Sequence, residues 1–351
     1  MDKWYLDNLV CPRDHLRLEE AGGQLICANH HIYPVTDGIP VMLLDDVDQT
    51  LDVADASIKR AKGVCLDERA PNLHLESLGI SEEEKKGLID LSIHNRLNID
   101  PVVSYICGAT CGFSYKHLIG KLDFYPIPHL PMPPAKGSTL LDIGCNWGRW
   151  SIAGSQKGYT VVGIDPSLGA IIAARRVNEQ LGLSVRYLVA DGRWLPFNDN
   201  SFDNVFSYSV IQHLSLDNAG MVLSETARVL KPEGRSVIQM PNAFGIRSIS
   251  HQIMRKFKEP TEFDVRYYTI RSLKKLFSAK IGKTKINAHC YFGLGLEASN
   301  LKFLLIKHKF IIILSELLRK LSRYAVPLIY FADSVYVESI CEKTHCGSRR
   351  I

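Results

Sequence analysis

The stretch LDIGCNWGRW, Leu141 to Trp150, constrains this chain more than any other. It begins as a short apolar strand after Ser138, reaches Asp142, turns through Gly144, Asn146 and Gly148, and opens an amphipathic helix. A strand, a tight turn and a helix N-terminus in that order let backbone approach a ligand closely. Glycine tolerates positive φ and carries no side chain, and the first N–H groups of the helix point at whatever lies above them. Taken alone, such a turn serves packing as readily as binding.

The strands beyond the turn decide between the two. YTVVGIDPS, Tyr159 to Ser167, predicts a second strand ending in Asp165, about 20 residues beyond the first turn, where a carboxylate can accept both hydroxyls of a ribose. VRYLVAD predicts a third strand ending in Asp191, and FDNVFSYS a fourth that leads through Val210 to His213. RSVIQMPN, Arg235 to Asn242, is the fifth, preceded by VLKPEG. Helices alternate with these strands: Trp150 to Lys157 closed by Gly158, Ser167 as N-cap to Leu181 closed by Gly182, and Ser215 to Leu230 stopped by Pro232. That alternation predicts a parallel sheet with helices on both faces. Its ligands bind at the carboxyl ends of the strands, where Asp142, Asp165, Asp191 and Ser207 fall.

The segment from Ser138 to Asn242 resembles the class I S-adenosylmethionine-dependent methyltransferases, the group that includes the ubiquinone and menaquinone methyltransferases. A nicotinamide enzyme shares the turn and the ribose acid, but the AD-x4-PF and LKPEG elements fit the methyltransferase pattern better. The family's acid-x-Gly-x-Gly-x-Gly reads here Asp142, Gly144, Asn146, Gly148, and asparagine is the residue next most tolerant of the left-handed conformation.

The resemblance implies S-adenosyl-L-methionine as cofactor. Gly144, Asn146 and Gly148 would lie along its methionine part, Asp165 would take the ribose hydroxyls and Asp191 the adenine amino group. Pro166, Ser167 and Gly192 stand beside those acids. Ser207 and Tyr208 would surround the sulfonium, and Asp142 would order the loop.

The resemblance also gives the fold class: α/β, a Rossmann-like seven-stranded class I methyltransferase sheet with a small N-terminal β-ribbon domain and a helical insertion before the last strand. The expected division is a ribbon at 1–48, a helical linker and N-terminal lid at 49–130, the cofactor-binding core at 131–246, and the rest of the methyltransferase domain at 247–351 with a helical cap at about 295–331. KTKINAHCYFGLGL and ADSVYVESIC would be the sixth and seventh strands, forming an antiparallel hairpin, and YYTIRSLKKLFS an amphipathic helix before them.

Residues 1–48 carry two Cys turns, alternating strands and the turn signals Thr36-Asp37-Gly38 and Ile39-Pro40. YPVTDGIPVML makes the segment resemble the zinc ribbon of the Trm-type activator proteins, which bind and activate methyltransferases, although the second and fourth ligand cysteines are missing. Cys11, His15, Cys27 and His30 would supply a Cys2His2 zinc site. The alternative is a metal-free ribbon held by Leu9, Leu25, Ile32, Ile39 and Val41. From Val47 the chain turns acidic and helix-prone, with Ser81 and Glu84 spaced as a capping box. Beyond Asp100 it turns apolar and aromatic: Tyr115 either closes over the cofactor, or packs in one face with Cys107, Cys111, Phe113 and Leu118.

Net charge is +5, well short of the concentrated charge of a nucleic-acid binder, so there is no strong nucleic-acid signal. Nine scattered cysteines and an N-terminus without a hydrophobic signal core indicate a reduced, cytoplasmic protein. The apolar runs near the C-terminus are too short to span a bilayer. The cap nevertheless interleaves Leu304, Leu305, Ile311, Ile312, Leu317 and Leu318 with Lys302, Lys307, Lys309, Arg319, Lys320 and Arg323, which suits either a helix packing on its own domain or peripheral contact with an anionic membrane.

His213, just beyond strand four, is the candidate general base, or else a residue capping the next helix. Trp147, Arg149, Gln212, Gln239, Asn242, Arg266 and Tyr267 are further pocket candidates. SYSV stands where amide and base N-methyltransferases carry Asn/Asp-Pro-Pro-Tyr, which favours an oxygen or carbon of a small-molecule or lipid-linked acceptor. An RNA or protein acceptor, with the ribbon binding the macromolecule, is the alternative, and a non-catalytic scaffold a third reading.

Overall fold

A computed structural model describes residues 1–64, 69–94, 98–110, 115–261, 264–293 and 298–343 of the chain. It opens with α1 (Lys3–Asn8), whose first turn is capped by the Asp2 carboxylate on the Trp4 N–H. An antiparallel four-stranded ribbon comes next in sequential order: β1 (Leu18–Ala21), β2 (Gln24–Cys27), β3 (Ile32–Thr36) and β4 (Ile39–Pro40). Leu9, Leu25, Ile39 and Val41 are buried as expected, but Ile32 is 54% exposed. It starts β3 on the outward side of the pleat, opposite Ile26.

Three helices succeed the ribbon, α2 (Asp52–Ala61), α3 (Glu82–His94) and α4 (Pro101–Thr110). The capping box forms reciprocally: the Glu84 carboxylate accepts the Ser81 N–H at 2.9 Å and the Ser81 hydroxyl accepts the Glu84 N–H at 3.2 Å. Cys107 and Tyr115 are buried in one apolar cluster with Leu88, Val102 and Trp147, with Leu118 at its margin. Tyr115 is a core residue of this helical layer, not a lid; Cys111 and Phe113 lie outside the described residues.

The large sheet comprises β5 (Thr139–Ile143), β6 (Thr160–Asp165), β7 (Arg186–Val189), β8 (Phe202–Ser207), β9 (Leu230–Pro241), β10 (Gly282–Cys290) and β11 (Ser334–Cys341), in the order β10-β11-β9-β8-β5-β6-β7. The pairs from β9 to β7 are parallel, and β11 runs antiparallel between β9 and β10. The crossover helices are α5 (Arg149–Gln156), α6 (Leu168–Gln180), α7 (Leu216–Val229), α8 (Ile246–Met254) and α9 (Ile270–Lys280). β5 to β8 are buried almost throughout, which is why they read as near-continuous apolar runs. The cap helix α10 (Ile306–Leu321) lies between β10 and β11, at the same edge of the sheet as the carboxyl ends of the parallel strands.

The ribbon docks on β7, the outermost strand. Val41 bridges Val189 in parallel, the Met42 N–H donates to the Val189 carbonyl at 2.7 Å, and the Tyr5 hydroxyl donates to the Tyr187 carbonyl at 2.7 Å. Backbone groups of an edge strand otherwise left open are paired within the same chain.

Candidate active site and ribbon metal cluster

The loop after β5 adopts the conformation its glycines require. Gly144 has φ +74° and Gly148 φ +83°, and a Cβ on either would run into the Val210 or the Tyr187 side chain. Asn146 takes φ +50° in the position where the family has glycine, and its own carboxamide accepts the Trp147 N–H at 2.8 Å. Its N–H donates to the Asp165 carboxylate at 2.9 Å, so the loop and the acid ending β6 are one unit. The other Asp165 oxygen accepts the Ser167 N–H at 3.0 Å, and burial pushes the carboxyl up to about 6.

Asp142 lies beneath the loop, 1% exposed, accepting the Ser151 hydroxyl at 2.6 Å, with burial pushing it up to about 7. It orders the loop. Ser167 is the N-cap of α6, its hydroxyl accepting the Ala170 N–H, and the Pro166 carbonyl accepts the Ser57 hydroxyl from α2 at 2.7 Å. Both fix the turn between β6 and α6, which carries Asp165.

At the end of β7, Asp191 is gripped by Arg193, whose Nη2 donates at 2.8 Å. Gly192 packs beside Ile143. At the end of β8 the buried Ser207 hydroxyl donates to the Ile143 carbonyl at 2.9 Å, tying two strand ends together. Tyr208 lies 4.8 Å from the Trp150 ring and 5.4 Å from His289, with the Arg149 guanidinium 5.2 Å over its face.

The remaining sequence candidates divide. His213 ends a short 3-10 turn, Ile211–His213, and is half-buried; its carbonyl accepts Arg266 at 2.6 Å and its ring lies 3.1 Å from the Gln212 amide. Trp147 is buried and packs on Tyr125 within the helical layer. Gln239 and Asn242 are buried in bonds to Ser334 and to the Tyr330 and Ala332 carbonyls, and Tyr267 meets His251 at an exposed position.

Two residues of the site lie outside the sequence expectations. Arg193 comes two positions after an acid, a spacing that carries no signal alone. His289 is one of several polar residues alternating along β10. Burial drives its imidazole down to about 3, so it is neutral, and its Nδ1 is 3.1 Å from the Ser334 hydroxyl. With Tyr336, Arg319, Arg323, Val326 and Tyr330 it lines a cavity of about 920 Å³ between the β10–β11 face and the cap.

The ribbon cysteines do converge, though with different partners from those expected. Cys11 Sγ and Cys27 Sγ lie 3.3 and 3.4 Å from His31 Nδ1, Asp14 Oδ2 lies 3.7 Å from Cys27 Sγ and 3.3 Å from His31 Nδ1, and all four ligand atoms are within 4.8 Å of one another. A tetrahedral ion bound at ~2.0–2.3 Å needs ligand-to-ligand edges of roughly 3.3–3.8 Å, and the four edges that meet at His31 Nδ1 or Cys27 Sγ, 3.3, 3.3, 3.4 and 3.7 Å, fall in that range. Of the expected set Cys11, His15, Cys27 and His30, the two cysteines lie in this cluster and the two histidines do not, Asp14 and His31 standing in their place. His15 and His30 close the two Cys turns through their N–H groups, at 2.9 Å to the Cys11 and Cys27 carbonyls, and their left-handed φ of 56° and 61° leaves both exposed.

A glycine-type loop after β5, an interior strand of this seven-stranded sheet, joined to the acid at the end of neighbouring β6, defines the Rossmann-like sheet of the class I methyltransferases. Residues 141–238 match the family described as Methyltransferase domain. Phosphoethanolamine N-methyltransferase 2 of Caenorhabditis elegans is 34% identical over 143 residues, 40% of this chain and 30% of that protein. Ubiquinone biosynthesis O-methyltransferase of Azorhizobium caulinodans is 29% identical over 109 residues, 31% of this chain and 42% of that protein. Among solved structures, an S-adenosylmethionine-dependent methyltransferase of Methanosarcina mazei aligns with a TM-score of 0.39 at 23% identity, covering 44% of this chain and 85% of that one. The chain spans less than two thirds of the length of the curated relatives it matches.

Proposed function

We propose that the chain is an S-adenosylmethionine-dependent methyltransferase acting on an oxygen or carbon of a small-molecule or lipid-linked acceptor. The observation that carries this reading is the Asn146 N–H bonded to the Asp165 carboxylate, which couples the loop to the ribose acid. Each Asp165 oxygen retains a lone pair beyond the backbone N–H it accepts, as ribose hydroxyls require. When bound, the cofactor supplies an electrophilic methyl group. The protein's part is to align acceptor and donor and to exclude water.

Asp191 receives the adenine amino group, and Tyr208 with Trp150 forms an aromatic wall at the end of β8. The acceptor occupies the cavity at His289, whose neutral imidazole orients it. His213 removes the proton where the nucleophile is a hydroxyl. Calorimetric titration of S-adenosylmethionine and S-adenosylhomocysteine into wild type and Asp165→Ala tests the reading. Binding that the substitution abolishes supports it; no binding to the folded wild type leaves a scaffold.

The ribbon stabilises the core in cis and holds one zinc ion on Cys11, Asp14, Cys27 and His31, a reading supported by the four-atom geometry. Metal analysis of the purified protein tests it. About one equivalent of zinc is expected, lost in Asp14→Ala and His31→Ala and kept in His15→Ala and His30→Ala.

A further inference from the structure

The cap leaves uncovered a surface that a water-facing helix does not ordinarily have. On α10, Ile306 is 73% exposed, Phe310 70%, Ile313 57%, Leu314 47%, Leu317 53% and Leu321 46%. At 3.6 residues per turn these positions fall within roughly a third of the circumference, one stripe along the whole helix. The opposite side of α10 satisfies the domain: Ile312 and Ser315 are buried, and the Ser315 hydroxyl accepts the Tyr291 N–H at 2.9 Å. The helix is therefore anchored by one face and offers the other, which is apolar, to its surroundings.

The stripe does not stand alone. On α8, Ile246 is 52% exposed, Ile253 56% and Met254 71%, and Phe257 just beyond is 70% exposed. α8 starts against the cap's exit, where the Asp333 carboxylate accepts the Arg247 and Ser248 N–H groups at 2.7 and 2.8 Å. Six exposed apolar residues in one stripe along α10, with more on α8, exceed the scattered exposed apolar residues of an ordinary surface.

Charge decides what covers it. Residues 298–332 contain six lysines and arginines and a single carboxylate, Glu316, which Arg319 holds at 2.5 Å. Residues 243–258 contain four basic residues and no acid. Lys309 and Lys320 flank one side of the α10 stripe. A second copy docking through this face would set these cations against themselves, since a two-fold interface is self-complementary. An anionic lipid surface presents the opposite charge and an apolar layer beneath it.

We propose that α10 docks this protein on an anionic bilayer, the apolar stripe seated among the acyl chains and Lys309 and Lys320 at the headgroups. The docking does not depend on methyl transfer, and its test reads binding alone. The full chain is sedimented with phosphatidylcholine–phosphatidylglycerol vesicles and with pure phosphatidylcholine vesicles, at low and high salt.

The expected result is salt-sensitive co-sedimentation with the anionic vesicles. Phe310→Glu/Leu317→Glu should abolish it, and Lys309→Glu/Lys320→Glu should weaken it at least about tenfold. These positions face outward, and circular dichroism checks that the variants stay folded. A folded wild type that does not bind the vesicles, or binds them unchanged in the α10 variants, overturns the proposal. So does a wild-type dimer in sedimentation equilibrium that the apolar substitutions dissociate without any vesicle binding, since a second copy would then own the face.

Discussion

Arg193 holds Asp191 with three contacts at once: Nε at 3.2 Å to one carboxylate oxygen and 3.0 Å to the other, and Nη2 at 2.8 Å. The same guanidinium reaches the Asp48 carbonyl at 2.9 Å and the Asn218 carboxamide at 3.3 Å, and stacks 4.2 Å from the Trp194 ring. The proposed adenine acid is thereby connected through one side chain to the segment that leaves the ribbon and to α7.

Arg193→Ala should accordingly affect both stability and cofactor affinity. Removing one partner of a pair that is 5% and 12% exposed leaves a carboxylate with little water and no cation. The expected loss is about 3 kcal/mol in urea unfolding. Affinity for S-adenosylhomocysteine, measured on the folded fraction, should fall as Asp191 loses its orientation. Unchanged affinity would mean that Asp191 does not meet the ligand.

The loop offers a sharper test of packing. A Cβ on Gly144 collides with the Val210 side chain, and the backbone there is left-handed. Gly144→Ala should therefore cost on the order of 3 kcal/mol, part steric and part conformational. Val210→Ala in the same background removes the two colliding methyl groups and should recover the steric part only. Asn146→Gly should be near neutral, because φ +50° is a conformation glycine adopts freely, whereas Asn146→Val should unfold the loop.

These contrasts mark where the sequence is readable. β5 to β8 and their helices are legible because a doubly covered parallel sheet needs apolar runs and its loops need turn residues at the strand ends, so chemistry and period agree. The loop at Gly144 and the acid at Asp165 belong to the same pattern. The ribbon ligands do not: spacing counts residues along the chain, while ligation depends on which side chain a turn aims inward. His15 and His30 close turns, and Asp14 and His31 are aimed at the sulfurs. Tyr115 is ambiguous in sequence for a similar reason, since an aromatic residue ahead of the core suits a lid and a helical layer equally, and only Phe303, 5.8 Å away across the fold, decides.

Ribbon docking on the β7 edge should contribute to the stability of the whole chain. Tyr5→Phe removes only the hydroxyl that satisfies the Tyr187 carbonyl at a buried position. It should cost about 1–3 kcal/mol, the desolvation penalty of an orphaned acceptor. Chemical unfolding monitored at the ribbon and core tryptophans should remain a single transition if the two parts unfold together. Two transitions in the variant would show the ribbon coming away first.

The pH dependence of stability should carry the signature of Asp142. Burial raises its folded pKa to about 7 from an ordinary value of 3.8, so the folded state binds a proton more tightly than the unfolded chain. Unfolding then releases a proton anywhere between those values, and stability falls as pH rises through that window, levelling off above about 7. His289 acts in the opposite sense. Its folded pKa is depressed to about 3, so its contribution is complete above the ordinary histidine value of 6.5 and is lost as pH falls below it.

Because these slopes overlap, and Asp165, pushed up to about 6, slopes in the same sense as Asp142, the wild-type curve alone cannot separate them, and the difference between wild type and Asp142→Asn can. Asparagine keeps an oxygen for the Ser151 hydroxyl and cannot ionise. The variant should therefore gain stability relative to wild type as pH rises from about 4 to 7, by on the order of a few kcal/mol. Denaturant titrations at several pH values measure that difference. A flat difference would mean that Asp142 stays ionised in the folded protein, with its charge held by its bonds to Ser151.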